Sequence, residues 1–278
     1  MSVTITASDV NKLRQITGAG MMDCKKALSE TGGDFDAAID YLRKKGQKVS
    51  EKRADRETNE GVVVATVSSD SAYGTIFGLG CETDFVAKNE DYVNFAKAIS
   101  AIAMANKPES KEALLALPFE SITIAEKIAE QVGKIGEKIE ITDYALITGE
   151  HVVAYNHSNG KVGVLVAMNK KGDAIEAVGK DVTMQIAAMA PISIDKNDVP
   201  EEVKNREMEI GREQARAEGK PEAILDKIAA GKLEAYYKDA TLLNQKFVKD
   251  NAKSIRDVLT GVEKDLTVTA FKRVALGA

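Results

Sequence analysis

The chain contains no tryptophan, and aromatic residues make up only 5% of its 278 positions. So few flat rings disfavour a base-stacking platform for single-stranded nucleic acid. Positive charge is also short: 38 Lys and Arg stand against 43 Asp and Glu, a net charge of −5. An acidic chain lacks the field that draws in a phosphate backbone, which argues against direct nucleic-acid binding. Cysteine and histidine number two each, none at ligand spacing, so no zinc site or other metal site is expected. Cys24 and Cys81 lie far apart in different contexts and are expected to stay reduced in a cytosolic protein. Met1–Thr6 shows neither a basic n-region nor an apolar h-region, so no signal peptide is expected. No apolar run approaches the length of a bilayer span, and neither a membrane partner nor a membrane location is expected.

What is present suffices for a folded core and for more than one domain: 44% of residues are hydrophobic and 29% charged. Residues 1–46 predict three short helices. Thr6 or Ser8 can cap the first, which has Val10, Leu13 and Ile16 on one face and breaks at Gly18-Ala19-Gly20. The second runs from Met21 to about Thr31 and stops at Gly32-Gly33. Asp34 or Asp36 opens the third, where Phe35, Ala38, Ile39 and Leu42 share a face and Gly46 closes the helix. Residues 47–60 mix both charges with almost nothing apolar and read as a solvated linker.

The pattern then turns to β. Residues 61–67 and 74–79 flank the turn Ser69–Ala72 as a hairpin. Helices follow over about 89–106 and 121–135, then an alternating strand over 138–147. The same order recurs. Residues 151–155 and 162–168 form a second hairpin, followed by helices over about 173–190 and 254–259 and a strand over 265–276. The segments before the two closing strands also match, Gly136-Glu137-Lys138 against Val262-Glu263-Lys264. The fold class is therefore α+β: a helical N-terminal domain, then two related subdomains of hairpin, helix, helix and strand. The second is interrupted by residues 200–239. There two charged helical runs flank Gly219-Lys220-Pro221, the sign of an antiparallel helical hairpin. Val203 and Ile210 mark one arm, and Ile224, Ile228 and Tyr236 the other.

Enzyme chemistry finds no foothold. Gly78-Leu79-Gly80 begins like a dinucleotide fingerprint, but Thr83 takes the place of the third glycine. Gly133-Lys134-Ile135-Gly136 lacks phosphate-loop spacing. There is no Gly-x-Ser-x-Gly elbow, and neither histidine has a nearby Ser or Cys. The densest signal is Cys81-Glu82-Thr83-Asp84-Phe85-Val86-Ala87-Lys88, placed between a strand and a helix start, where a scaffold can present side chains outward. Taken alone, Thr83-Asp84-Phe85 favours a turn cap and a core Phe. Lys25 and Lys26 read as a solvated face, His157 as a hairpin-loop residue, and Met21-Met22 as core.

Joined together, the pieces carry a resemblance. Thr17–Leu28 resembles the N-terminal signature of the bacterial elongation factor Ts family, and Cys81–Lys88 resembles its second signature. Tyr155–Ser158 followed by Lys161–Val166 is similar to a third block. The resemblance spans essentially the whole chain, in order. It implies a UBA-like domain over 1–46, a charged linker over 47–60, and a core N-subdomain over 61–149. The core C-subdomain would cover 150–199 and 240–278, around a coiled-coil insertion over 200–239.

The function implied is guanine-nucleotide exchange on elongation factor Tu, bound in its GDP and nucleotide-free forms, in the cytoplasm and without a cofactor. Carried over, Thr83, Asp84, Phe85 and Val86 enter the partner near its Mg²⁺ site. Phe85 wedges between helices and Asp84 bonds there. Lys25 would be a polar contact of the N-terminal domain, and His157 a contact of the second subdomain. Two departures stand out. Lys246 takes a place where the family often has Pro. The chain also ends at Ala278, where longer members continue into a partner-touching helix, so that contact is expected to be missing. The rival expectations are a UBA-type adaptor without exchange activity and a small-molecule enzyme on the α+β core.

Overall fold

The chain is described by a computed structural model over residues 4–277. The expectations placed on the first three residues and on Ala278 fall outside the described residues. Three helices come first: α1 (Ala7–Thr17), α2 (Met21–Glu30) and α3 (Phe35–Lys52). Thr6 caps α1, with Asp9 returning the bond in a capping box, and Asp34 caps α3. Gly18 ends α1 in the left-handed region at φ 67°, a conformation glycine adopts without strain. Val10, Leu13, Ala19, Cys24, Ala27, Leu28 and Ala38 form the small core. Two expectations fail here. Ile16 and the pair Met21 and Met22 are exposed, at 58%, 52% and 73%.

The third helix does not close at Gly46 but continues to Lys52, taking in the first part of the expected linker. Gly46 is buried where α3 crosses α7 (Ile124–Ile135), against the carbonyl of Ala129 and the Cα of Gly133. A side chain there would hold the helices apart, so this glycine serves close approach and not termination.

Strands β1 (Glu60–Val67) and β2 (Tyr73–Cys81) form an antiparallel hairpin. The one-turn helix α4 (Asp84–Ala87) follows, then α5 (Glu90–Asn106), α6 (Lys111–Ala116) and the two-residue strands β3 (Pro118–Phe119) and β4 (Ile122–Thr123). After α7, β5 (Glu140–Thr148) returns to pair with β2, giving the order β1-β2-β5. The second hairpin is β6 (His151–Asn156) and β7 (Val162–Met168), followed by α8 (Asp173–Met189). Helices α9 (Glu201–Ala217) and α10 (Leu225–Ala240) come next. The small hairpin β8 (Lys246–Phe247) and β9 (Asp250–Ser254), α11 (Ile255–Val262) and β10 (Val268–Ala275) complete the order. Strand β10 pairs with β7, so the second sheet reads β10-β7-β6. In each sheet the second hairpin strand lies in the centre and the late strand covers its free edge. The mixed helix-and-strand class is as the sequence suggests.

The two sheets pack face to face. Ile76 of β2, Val63 and Ala65 of β1, and Leu165 and Ala167 of β7 share one cluster between them. Residues of the opposite parity point outward, as a two-residue repeat requires. Phe77 and Leu79 meet α5 and α7, with Phe95, Ile99 and Ile128. Val164, Val166 and Met168 meet α8 and α11. Burial on both faces is why these central strands read as continuous apolar runs. The hairpin β6–β7 is stitched to β1, where the Asn156 side chain accepts from the Ala65 N–H at 2.8 Å and donates to its carbonyl at 2.9 Å.

Helices α9 and α10 pack chiefly on each other. Their seam is Gly211, Ala215, Leu225, Ala229 and Tyr237, and its small members Gly211 and Ala229 bring the backbones close. The expected seam residues Ile210 and Ile224 lie on the outside, 38% and 41% exposed. Among the described residues, no helix is long and apolar enough to cross a membrane.

Candidate functional site

The segment after β2 is built from the strand outward. Cys81 ends β2 fully buried, and its thiol donates to the Thr83 carbonyl at 3.2 Å. Burial pushes this thiol up to about 11, so it stays protonated and inert at neutral pH. Tyr92 of α5 donates its hydroxyl to the Leu79 carbonyl at 2.9 Å, which fixes the strand end from the other side.

Thr83 then caps α4, its hydroxyl oxygen facing the Val86 N–H at 3.5 Å. Within that turn Ala87 faces the core and Val86 packs against it, while Phe85 points away. Phe85 is 84% exposed, an unusual place for a large apolar ring. The local reading of the tripeptide was thus half right: Thr83 is a cap, but Phe85 is not core. Asp84, beside it, forms an exposed ion pair with Lys88 at 2.7 Å. The Lys88 ammonium holds the Asp84 carboxyl below its usual range, so Asp84 is ionised at neutral pH.

Residues from three separate segments hold this turn. The Glu137 carboxylate accepts from the N–H groups of Glu82 at 3.1 Å and Thr83 at 3.0 Å, and from the Thr83 hydroxyl at 2.6 Å. The Glu82 carboxylate accepts from the Lys138 N–H at 2.6 Å, from Arg53 at 2.7 Å and from Arg56 at 3.0 Å. Burial works to raise the Glu82 carboxyl, but those donors prevail and hold it below its usual range. Arg53 and Arg56 follow α3 directly, so the N-terminal helices are wired to this turn. The only sequence signal for Glu137 was its place in the repeated segment before each closing strand.

The other expected contacts lie on separate elements. Lys25 is exposed on α2, without an ion pair among the described residues. His157 sits exposed in the β6–β7 turn, its Nδ1 sharing a 2.7 Å hydrogen bond with the Tyr155 hydroxyl. Among the described residues, no side-chain hydrogen bond joins Lys25, His157 and the 83–86 turn to one another, and Lys25, His157 and Phe85 each stand exposed on a different element. A cavity of about 410 Å³ lies where α1 and α3 meet α7, and none of residues 81–88 lines it. The local chemistry offers an exposed aromatic, an ionised acid and a stiff base beneath them. That set suits insertion into a macromolecular partner.

Comparison with known proteins gives a consistent answer. The family model described as "Elongation factor TS" matches residues 82–278. A protein named elongation factor Ts from Cytophaga hutchinsonii is 59% identical over 276 residues, covering 98% of this chain and 99% of that protein. Its namesake from Amoebophilus asiaticus is 50% identical over 277 residues, covering 99% and 100%. That from Flavobacterium psychrophilum is 49% identical over 274 residues, covering 99% of each.

Proposed function

The chain belongs to the elongation factor Ts family, and from that premise we infer that it is a guanine-nucleotide exchange factor for elongation factor Tu. It binds the GDP-loaded partner in the cytoplasm, disturbs the Mg²⁺ and phosphate contacts, and lets GDP leave so that GTP can enter. The observation that carries this reading is the outward Phe85, 84% exposed on a one-turn helix whose neighbours are anchored in the core. In this role Phe85 is the wedge, Asp84 the polar contact beside it, and Thr83 and Val86 the flanks that seat it. Lys25 supplies a contact from a UBA-like domain over 1–46, and His157 one from the second core subdomain. The last turns of α3 and the charged residues after Lys52 connect that domain to the core N-subdomain over 61–149. The core C-subdomain spans 150–199 and 240–278, and 200–239 forms a coiled-coil insertion.

Exchange needs no nucleophile and no cofactor of the factor's own. It needs binding free energy directed at a partner state that holds nucleotide poorly. The coupling is reciprocal: if this chain weakens GDP binding, GDP weakens the binding of this chain by the same factor. A buried aromatic at an interface centre contributes about 2 kcal/mol or more, enough to shift that balance more than tenfold. The test is release of labelled GDP from purified elongation factor Tu with and without the chain. Concentration-dependent acceleration supports the reading, and unchanged release refutes it in favour of an adaptor role.

A further inference from the structure

A single four-residue helical turn is not stable by itself. The direction of Phe85 must therefore be set by what holds α4, and the structure shows that holder. Glu137 places one oxygen on the Glu82 and Thr83 N–H groups and the other on the Thr83 hydroxyl. With its proton committed to Glu137, the Thr83 oxygen is free to accept from Val86. Glu82 answers by accepting from the Lys138 N–H. Two junctions distant in sequence thus exchange carboxylates. Gly136 makes this possible: it ends α7 at φ 81° and turns the chain so that Glu137 faces the β2 end.

The second half shows what such a junction needs when no wedge follows. There Asn169, after β7, accepts from the Thr267 N–H at 2.9 Å and donates to the Asp265 carbonyl at 2.8 Å. Glu263, in the position matching Glu137, takes the Lys170 ammonium at 2.7 Å. Closing the sheet therefore requires a tie, but not a carboxylate on the N–H groups of the loop. That arrangement occurs in the half that carries Phe85.

We propose that Glu137 is a positioning residue for exchange, fixing the turn that aims Phe85 before the partner is met. This rests on the exchange reading above. A turn ordered in advance loses less freedom on binding, so its loss slows exchange without removing any contact to the partner. Freeing about one residue's backbone corresponds to roughly tenfold.

The test uses the full chain as wild type, Phe85→Ala, Glu137→Ala, Glu137→Gln and the Phe85→Ala/Glu137→Ala double variant. Three quantities are read: labelled GDP release from elongation factor Tu, amide hydrogen exchange at Glu82 and Thr83 in the chain alone, and thermal melting. Glu137→Ala should speed amide exchange at both positions and slow GDP release about tenfold. Glu137→Gln, which keeps an oxygen for the two N–H groups, should recover most of the release rate and carries the test if the alanine variant does not fold. The double variant should be no slower than Phe85→Ala alone, because Glu137 acts through that ring. Effects that add in the double variant overturn the proposal, as does wild-type release by Glu137→Ala. If the wild-type chain does not speed GDP release, the exchange reading fails instead; if Phe85→Ala matches the wild type, the wedge fails and this proposal with it. In the first case the amide exchange still reports whether Glu137 holds the turn.

Discussion

Phe85→Ala removes a ring that is 84% exposed, so the folded chain gives up only the small covered remainder of its surface. Burying a whole Phe side chain contributes up to about 3 kcal/mol, and the covered share of Phe85 scales to about 0.5 kcal/mol. In a chain of this size, about 1 kcal/mol moves Tm by roughly 2–4 °C, so the expected fall is only about 1–2 °C. Phe77 of β2, fully buried under α5 and α7, sets the contrast, since its truncation should cost about 3–5 kcal/mol. Function should respond in the opposite way. A ring buried at the centre of a partner interface is worth about 2 kcal/mol or more, or roughly thirtyfold in GDP release. The assay pairs calorimetric melting with stopped-flow release of labelled GDP from elongation factor Tu. Wild-type release by Phe85→Ala refutes the wedge. A Tm fall of more than about 5 °C refutes the reasoning from exposure.

Gly46→Leu places a Cβ 2.8 Å from the Ala129 carbonyl oxygen, so α3 should lift off α7 at a cost of about 1–3 kcal/mol. Limited proteolysis should then cut faster within 53–60, and unchanged cleavage with unchanged Tm would contradict this. Replacing 200–239 with a short flexible linker should leave a cooperative melting transition, because α9 and α10 pack chiefly on each other. A collapsed core would show that these helices are no insertion. The folded-state pKa of Glu82 lies below its ordinary 4.5, so its stabilisation is complete above about pH 4.5 and is lost as pH falls through the lower, folded-state value. Glu82→Gln should therefore lower stability at pH 7 and flatten the acid limb of the stability curve. An acid limb as steep as in the wild type would exclude Glu82 as a contributor.

Much of the fold was legible because its signals are local. The long strands and helices announced themselves by periodicity, and the repeated order of hairpin, helix and late strand predicted two sheets of like connection. What was not legible depends on contacts between distant segments. A glycine inside a polar helical run looks like a stop, yet Gly46 marks a close crossing with a helix that comes much later in the chain. Short elements such as α4, α6 and β3–β4 have too few residues to show a period. Ile16, Met21 and Met22 fit a core pattern by spacing but stand outside it, because the three-helix core is completed by small residues such as Ala27 and Ala38. At the candidate site, Thr83 and Phe85 were visible as residue types. The direction of Phe85 was not, since it follows from Glu137 and Glu82, carboxylates that act across the gap between two junctions.

The crossing of α3 over α7 also bears on how the chain is made. The first half of α3 emerges with its partners α1 and α2 already made. Its second half, with Val49 destined for the core beneath α7, must wait until α7 has been translated. At about 5–20 residues per second, that interval is on the order of ten seconds. During it one helix is half satisfied and half bare, with an apolar side chain exposed beside a run of charged neighbours.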